Sequence, residues 1–329
     1  MHAIASAVPE CDQRSMSLLA IVLPVFGLIA IGFLAARTGL IKDNVGDGLS
    51  DFVFTVAVPC LLFKTLATAD VPEASPWAYW AVYFCAVIVV WSTAQLVVTR
   101  GFGRDKPTGT VAGFSAAQAN TVLIGIPLIL TTYGDAGRVP IFLLVAVHLP
   151  VMMTAATLSI ELGGSQAGNL LETLRRLAVS IFTHPIIIGI LLGLAYRMTG
   201  FEIPAIPFQI VDMLGSTAVP CSLFSAGMAL KRYGLAGDIR ITLLVSFIKL
   251  IIQPGLVLLL GLLVFHLPPV WLGTAVLFAA CPSGINAYLL ANRYGTGVRI
   301  ASSSIALSTG LAIVSVTGWL WVISVWVPG

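Results

Sequence analysis

Apolar residues along this chain fall into ten long blocks, and the charged and turn-forming residues lie between the blocks. The blocks cover residues 17–36, 47–68, 78–99, 109–131, 138–161, 178–199, 207–230, 240–264, 268–292 and 300–326. A helix rises about 1.5 Å per residue, so crossing the hydrocarbon of a bilayer takes roughly 20 residues. Each block therefore reads as one transmembrane helix, which predicts an all-α polytopic membrane protein with ten crossings. Two blocks, 109–131 and 268–292, are interrupted by glycine and proline. The links are short, and no soluble domain fits anywhere. Residues 1–16 hold no apolar core of a signal peptide and read as a short extracytoplasmic polar tail.

Composition agrees with the pattern and narrows it. Of 329 residues, 58% are apolar and 9% charged, against about a quarter charged in soluble domains. Such a chain cannot cover a water-facing surface, and its partner is the lipid bilayer. Disorder, a disulfide scaffold, a coiled coil and a nucleic-acid binder are excluded on the same ground. Cys11, Cys60, Cys85, Cys221 and Cys281 form no C-x-x-C pair and no zinc spacing. Twelve of the 17 Lys and Arg lie in the links after blocks 1, 3, 5, 7 and 9, and three lie on the other side. The positive-inside rule then puts the odd-numbered links in the cytoplasm and both termini outside a cytoplasmic membrane.

The chain also repeats itself. Shifted by 161 residues, Pro24, Gly32, Thr38 and Gly39 fall on Pro185, Gly193, Thr199 and Gly200. Ala57-Val58-Pro59-Cys60 falls on Ala218-Val219-Pro220-Cys221, and Tyr133-Gly134 on Tyr294-Gly295. Aliphatic matches arise by chance in apolar helices, whereas Pro, Gly, Cys and Tyr in one register do not. Repeat 1 spans 17–161, repeat 2 spans 178–326, and a cytoplasmic link covers 162–177. Five crossings per half make the halves inverted, the architecture of secondary transporters.

The chemistry is expected at the two interrupted blocks. One reads Asn120-Thr121-Val-Leu-Ile-Gly125-Ile-Pro127, the other Pro282-Ser283-Gly284-Ile-Asn286. Proline removes a helical N–H and glycine leaves helical φ/ψ easily, so both helices should open at mid-membrane. Freed backbone groups cannot face lipid and must line a cavity or meet protein. Half-helix N-termini carry partial positive charge and unpaired N–H donors, which suit an anion. Pro and Gly in a single membrane helix often only kink it. A pair at matching places in two inverted halves points instead to one central site.

Ionisable residues within crossings are candidates for coupling or for charge pairing. Lys249 either attracts a substrate carboxylate or pairs internally with a group such as Asp212. His148 either carries a proton or bonds a neighbouring carbonyl. Lys64 is expected to snorkel to the outer interface. Ser302, Ser303, Ser304, Ser308 and Thr309 give the last helix a polar face that serves packing or solvent. Gly189-x-x-x-Gly193 reads as a helix contact, within the chain or between protomers.

The segment Asn120-Thr-Val-Leu-Ile-Gly125-Ile-Pro127-Leu resembles the N-x-x-x-G-x-P-L segment of the auxin efflux carrier family of permeases. Ala280-Cys-Pro282-Ser-Gly284-Ile-Asn286-Ala-Tyr288 is similar to the family's A-x-P-x-G segment. The likeness spans nearly the whole chain and includes bacterial malonate and organic-acid permeases. It implies ten helices in two inverted repeats, crossed broken helices 4 and 9, and a homodimer. It also implies a scaffold of helices 1, 2, 6 and 7 beside a transport domain of helices 3–5 and 8–10. The implied substrate is a small carboxylate, and the implied binding residues are Asn120, Thr121, Gly125, Pro127, Pro282, Ser283, Gly284 and Asn286. The link is far shorter than the cytoplasmic insert of plant auxin exporters, and Asn286 stands where plant members carry an apolar residue. The substrate therefore need not be auxin.

The leading expectation is a carrier working by alternating access, with no cofactor and with coupling to Na+, H+ or membrane potential left open. The first alternative is a membrane sensor that binds its ligand without moving it. The second is an intramembrane hydrolase. Cys281-Pro-Ser283-Gly resembles the G-x-S-G of rhomboid-type proteases, with His148 or His266 as base. The first glycine is missing, and inverted symmetry has no role in such a mechanism.

Overall fold

Every regular element among the described residues is helical. The structure, a computed structural model, describes residues 10–68, 76–163, 175, 178–179, 182–201, 203–233 and 237–327. Helix α1 (Glu10–Arg37) already covers part of the tail expected over 1–16. Most of the link 162–177 lies outside the described residues.

In chain order follow α2 (Asp43–Thr68), α3 (Pro76–Gly101) and α4 (Lys106–Ala117). Next come α5 (Ile126–Tyr133), entered through a π-helical turn at Thr121–Gly125, and α6 (Arg138–Gly163). The second half holds α7 (Pro185–Thr199), α8 (Ala205–Leu230) and α9 (Ile239–Leu263). It closes with α10 (Pro269–Ala280), α11 (Asn286–Tyr294) and α12 (Val298–Trp326). Among the described residues, seven helical stretches are long and apolar enough to cross a membrane. The blocks expected over 109–131 and 268–292 are each divided into two shorter helices. The block expected from 178 is described as a continuous helix only from Pro185.

Three π-helical turns share one local cause. The turns at Val53–Ala57, Thr121–Gly125 and Ile248–Ile252 each end two residues before a proline: Pro59, Pro127 and Pro254. A proline has no N–H to give the carbonyl four residues back, and its ring presses on that carbonyl. Widening the preceding turn to i→i+5 bonding relieves the clash without ending the helix.

The surface is inverted relative to a soluble protein. Leu23, Leu192, Ile206, Leu263, Val314 and Trp321 are all more than half exposed, as a lipid-facing surface requires. Tyr79, Tyr83, Phe114, Phe142 and Phe278 are fully buried between helices.

Small residues bring two helix pairs into backbone contact. Helix α1 meets α8 where a Cβ on Gly32 would overlap the carbonyl oxygen of Phe224. Helix α7 meets α2 where a Cβ on Gly193 would lie 2.8 Å from the carbonyl oxygen of Phe63. Adding 161 to Gly32 gives Gly193, and adding it to Phe63 gives Phe224, so each contact is the image of the other. Gly189, with a Cβ 2.7 Å from the carbonyl oxygen of Pro59, belongs to the same α7–α2 contact. The Gly189-x-x-x-Gly193 pair thus packs within one chain, which corrects the alternative of a seam between protomers.

Candidate functional site: the crossing of two broken helices

The first break follows α4. Gln118 (φ −77°, ψ 115°) and Asn120 (φ −76°, ψ 74°) flank Ala119, and the helix resumes at Thr121. The second follows α10, where Cys281 turns extended (φ −59°, ψ 144°) and the helix resumes at Asn286. The two breaks lie side by side. Ala119 and Ser283 form an antiparallel bridge. The Asn120 N–H donates to the Pro282 carbonyl at 2.8 Å, and the Gly284 N–H donates to the Gln118 carbonyl at 2.9 Å. Backbone groups released by unwinding one helix are thereby satisfied by the other, as burial in a membrane protein demands. Glycine at 284 is required by this approach, because a Cβ there would sit 2.8 Å from the Ala119 carbonyl oxygen.

The Ser283 side chain and side chains from two further helices, α9 and α12, secure the crossing. The Ser283 hydroxyl donates to the Ser115 carbonyl at 2.7 Å, and the Ser283 N–H donates to the Ser308 hydroxyl at 3.0 Å. From α9, the Gln253 amide donates to the Ala117 carbonyl at 3.2 Å. The Lys249 ammonium donates to the Ala279 carbonyl at 2.8 Å and to Gln253 Oε1 at 2.6 Å. The last carbonyls of both α4 and α10 thus have donors.

Beside the crossing lies a cavity of about 710 Å³. Asn120, Thr121, Gly284, Ile285 and Asn286 form its inner end, with Thr55, Val145 and Met153 along its walls. Asp47, Asp51, Glu161, Arg232, Tyr233 and Arg293 line it at the start of α2 and the ends of α6, α8 and α11. That is the face on which the sequence places the basic links. The first turns leading into α5 and α11 both begin at the cavity. A helix start carries partial positive charge; the Thr121 and Ala287 N–H groups already donate to the Ala119 and Gly284 carbonyls, so the inner end offers that charge together with the Asn120 and Asn286 side-chain amides.

Charges toward the mouth are largely paired. The Arg232 guanidinium binds the Asp47 carboxylate and donates to the Asp43 carbonyl at 3.0 Å, and Lys231 reaches Asp43 Oδ1 at 2.8 Å. Its hydrogen bond to Asp47 holds Arg232 above the ordinary arginine range. Burial pushes the Tyr233 phenol up to about 12. The Tyr294 hydroxyl donates to Glu161 at 3.1 Å, and the Arg293 guanidinium lies 5.7 Å from the centre of the Tyr294 ring. Three carboxylates and two guanidiniums leave no cationic excess here. The positive potential of the cavity therefore comes from the helix starts at the inner end.

Of the eight expected binding residues, Asn120, Thr121, Gly284 and Asn286 line the cavity. Pro282 and Ser283 form the crossing, and the buried Gly125 and Pro127 lie behind it. Of the two alternatives for Lys249, the pairing with Asp212 is corrected. Asp212 binds Lys64, joining α8 to α2, while Lys249 is fully buried at the crossing and does not line the cavity. Lys64, expected to snorkel, is thus an ion-pair partner of Asp212. His148 is also fully buried, edge-on to Tyr83 and Phe278 at 5.4 and 5.2 Å between ring centres, and it lies off the cavity. Neither of its ring nitrogens has a hydrogen-bond partner among the described residues. Ser303, Ser304, Ser308 and Thr309 face protein rather than this cavity.

Two residues escaped sequence reading although a signal existed. Arg293 lies seven positions after Asn286 on α11, two turns along the same face, and both line the cavity. Gln253 lies one turn after Lys249 in α9.

Residues 17–320 match the family described as membrane transport protein. The chain belongs to this family. It is 32% identical over 320 residues to a Rhizobium meliloti protein named "Putative malonate transporter", covering 92% of this chain and 95% of that one. It is 27% identical over 299 residues to a Methanothermobacter thermautotrophicus protein named "Uncharacterized transporter", covering 91% and 96%. An Arabidopsis thaliana "Auxin efflux carrier component 8" is 20% identical over 341 residues, covering 88% and 93%. The resemblance to auxin efflux carriers is thus upheld, and the chain is a membrane transporter rather than an enzyme. The hydrolase alternative also fails on geometry, since the Ser283 hydroxyl is buried and committed to the Ser115 carbonyl.

Proposed function

We propose that this protein is a secondary carrier that moves a small carboxylate across the cytoplasmic membrane by alternating access. One observation carries the reading: two broken helices cross at their breaks, and the helix starts beyond the breaks open on one cavity with Asn120 and Asn286. A malonate-sized anion would accept from the two side-chain amides, in the positive potential of both helix starts. The relative named for malonate makes that acid the first substrate to test.

The finer architecture belongs to the same proposal. Ten crossings form two inverted repeats, 17–161 and 178–326, and the exchanged Gly32–Phe224 and Gly193–Phe63 contacts support it. Those contacts join α1 to α8 and α7 to α2, the first, second, sixth and seventh of the ten crossings, the scaffold against which the other helices move. With both termini outside, the cavity opens to the cytoplasm and the conformation is inward-open. Assembly as a homodimer completes the reading. The test is uptake of radiolabelled malonate into proteoliposomes, with the sodium, proton and electrical gradients collapsed in turn. Flux above protein-free vesicles supports a carrier. Specific binding without flux would identify a sensor instead.

A further inference from the structure

Two arginines line the cavity, and among the described residues only one of them is bound by a carboxylate. The Arg232 guanidinium is held by the Asp47 carboxylate and the Asp43 carbonyl. Arg293 forms no ion pair among the described residues, although Glu161 lines the same cavity. Glu161 accepts from the Tyr294 hydroxyl at 3.1 Å instead, while the Arg293 guanidinium lies over the Tyr294 ring.

The place of Arg293 on its helix gives that free cation a direction. Asn286, Leu289 and Arg293 all line the cavity, and spacings of three and four put them on one face of α11. Asn286 starts the helix at the inner end, and Arg293 follows two turns later, about 10 Å along the axis. A helical side chain leans toward the N-terminus of its own helix, which from position 293 is the direction of Asn286. The arginine arm then takes up much of the separation, and the space left between amide and guanidinium suits a short acid with a carboxylate at each end. A guanidinium meets a carboxylate with two parallel N–H donors. Asp51 of α2 also lines the cavity, and its charge disfavours any second carboxylate that no cation meets. The position 161 earlier holds Thr132, so the cation is not part of the duplicated frame.

We propose that Arg293 determines specificity: it receives the second carboxylate of a dicarboxylate whose first carboxylate rests at Asn120 and Asn286. Dicarboxylates are then the transported class, and acids with a single carboxylate bind weakly. The inference rests on the carboxylate reading above and names the substrate class of that same site.

The experiment measures equilibrium binding of malonate and of its monoamide to purified full-length protein in detergent. The two ligands match in size and differ by one negative charge. Wild type should bind malonate at least about tenfold more tightly than the monoamide. In Arg293→Gln that preference should fall below about threefold. Arg293→Lys should keep part of it, because lysine retains the charge but not the fork. The side chain is exposed on the last turn of α11, so both variants should keep the wild-type unfolding midpoint. A structural role would weaken both ligands equally, and an unchanged preference in Arg293→Gln overturns the inference. Equal binding of the two ligands by wild type also overturns it, while the carboxylate reading stands. Wild type that binds neither ligand overturns both.

Discussion

Replacing Asn120 or Asn286 with alanine separates binding from folding. Both amides are half-buried and line the cavity, and neither makes a side-chain hydrogen bond within the described protein. The crossing is joined through main-chain groups, the Asn120 N–H to Pro282 and the Gly284 N–H to Gln118, which alanine keeps. Stability should therefore shift by no more than about 0.5 kcal/mol, as for substitutions away from structural contacts. A hydrogen bond to a carboxylate is worth about 1.5–3 kcal/mol, and about 1.4 kcal/mol is a tenfold change in affinity. Each variant should then weaken carboxylate binding by roughly ten- to a hundredfold. The double variant should fall short of the product, because both amides address one anion. Equilibrium binding of radiolabelled malonate to detergent-solubilised protein, with the unfolding midpoint measured beside it, reads both quantities. Wild-type affinity in both single variants would refute the reasoning. So would a loss of stability as large as the loss of binding, since the amides would then be structural.

Gln253→Leu should destabilise by about 2–4 kcal/mol, because it removes an acceptor from the buried Lys249 and a donor from the Ala117 carbonyl; chemical unfolding in detergent checks this. Gly193→Ala and Gly32→Ala should each cost about 1–3 kcal/mol by forcing a Cβ against a backbone carbonyl. A scan in which either glycine tolerates alanine without loss would contradict the close approach. The Tyr233 phenol is raised in the folded state, so its contribution is complete below the ordinary tyrosine range near 10. That contribution is lost as pH climbs toward about 12. Comparing alkaline unfolding of wild type and Tyr233→Phe tests this, with the difference expected only above about pH 10.

The crossing was legible because its cause is local. Proline, glycine and asparagine in the middle of an apolar block disfavour a continuous helix: 281–285 opens where Pro282 and Gly284 stand, whereas 118–120 opens at Asn120, ahead of Gly125 and Pro127, which lie in the resumed helix. The expectation that the two breaks meet came from the repeat, whose spacing of 161 also reappears in the exchanged glycine contacts. Pairing of ionisable groups was not legible. Lys64 and Asp212 are 148 residues apart, and which of two lysines an aspartate meets depends on helix rotation. The same dependence hid the role of Lys249, whose side chain points to the crossing rather than to the cavity. Aspartates at the mouth escaped notice because Asp47 and Asp51 open an amphipathic turn at the edge of a block. Charge in such a place reads simply as solvated surface.

The central claim is that an anion rests where the two broken helices cross. An experimental structure of the protein bound to a carboxylate that raises its unfolding midpoint tests it most directly. Density is expected beside the starts of α11 and of the turn leading into α5, within reach of Asn120 and Asn286. Density held instead among Asp47, Arg232 and Arg293, with the inner end empty, would contradict it.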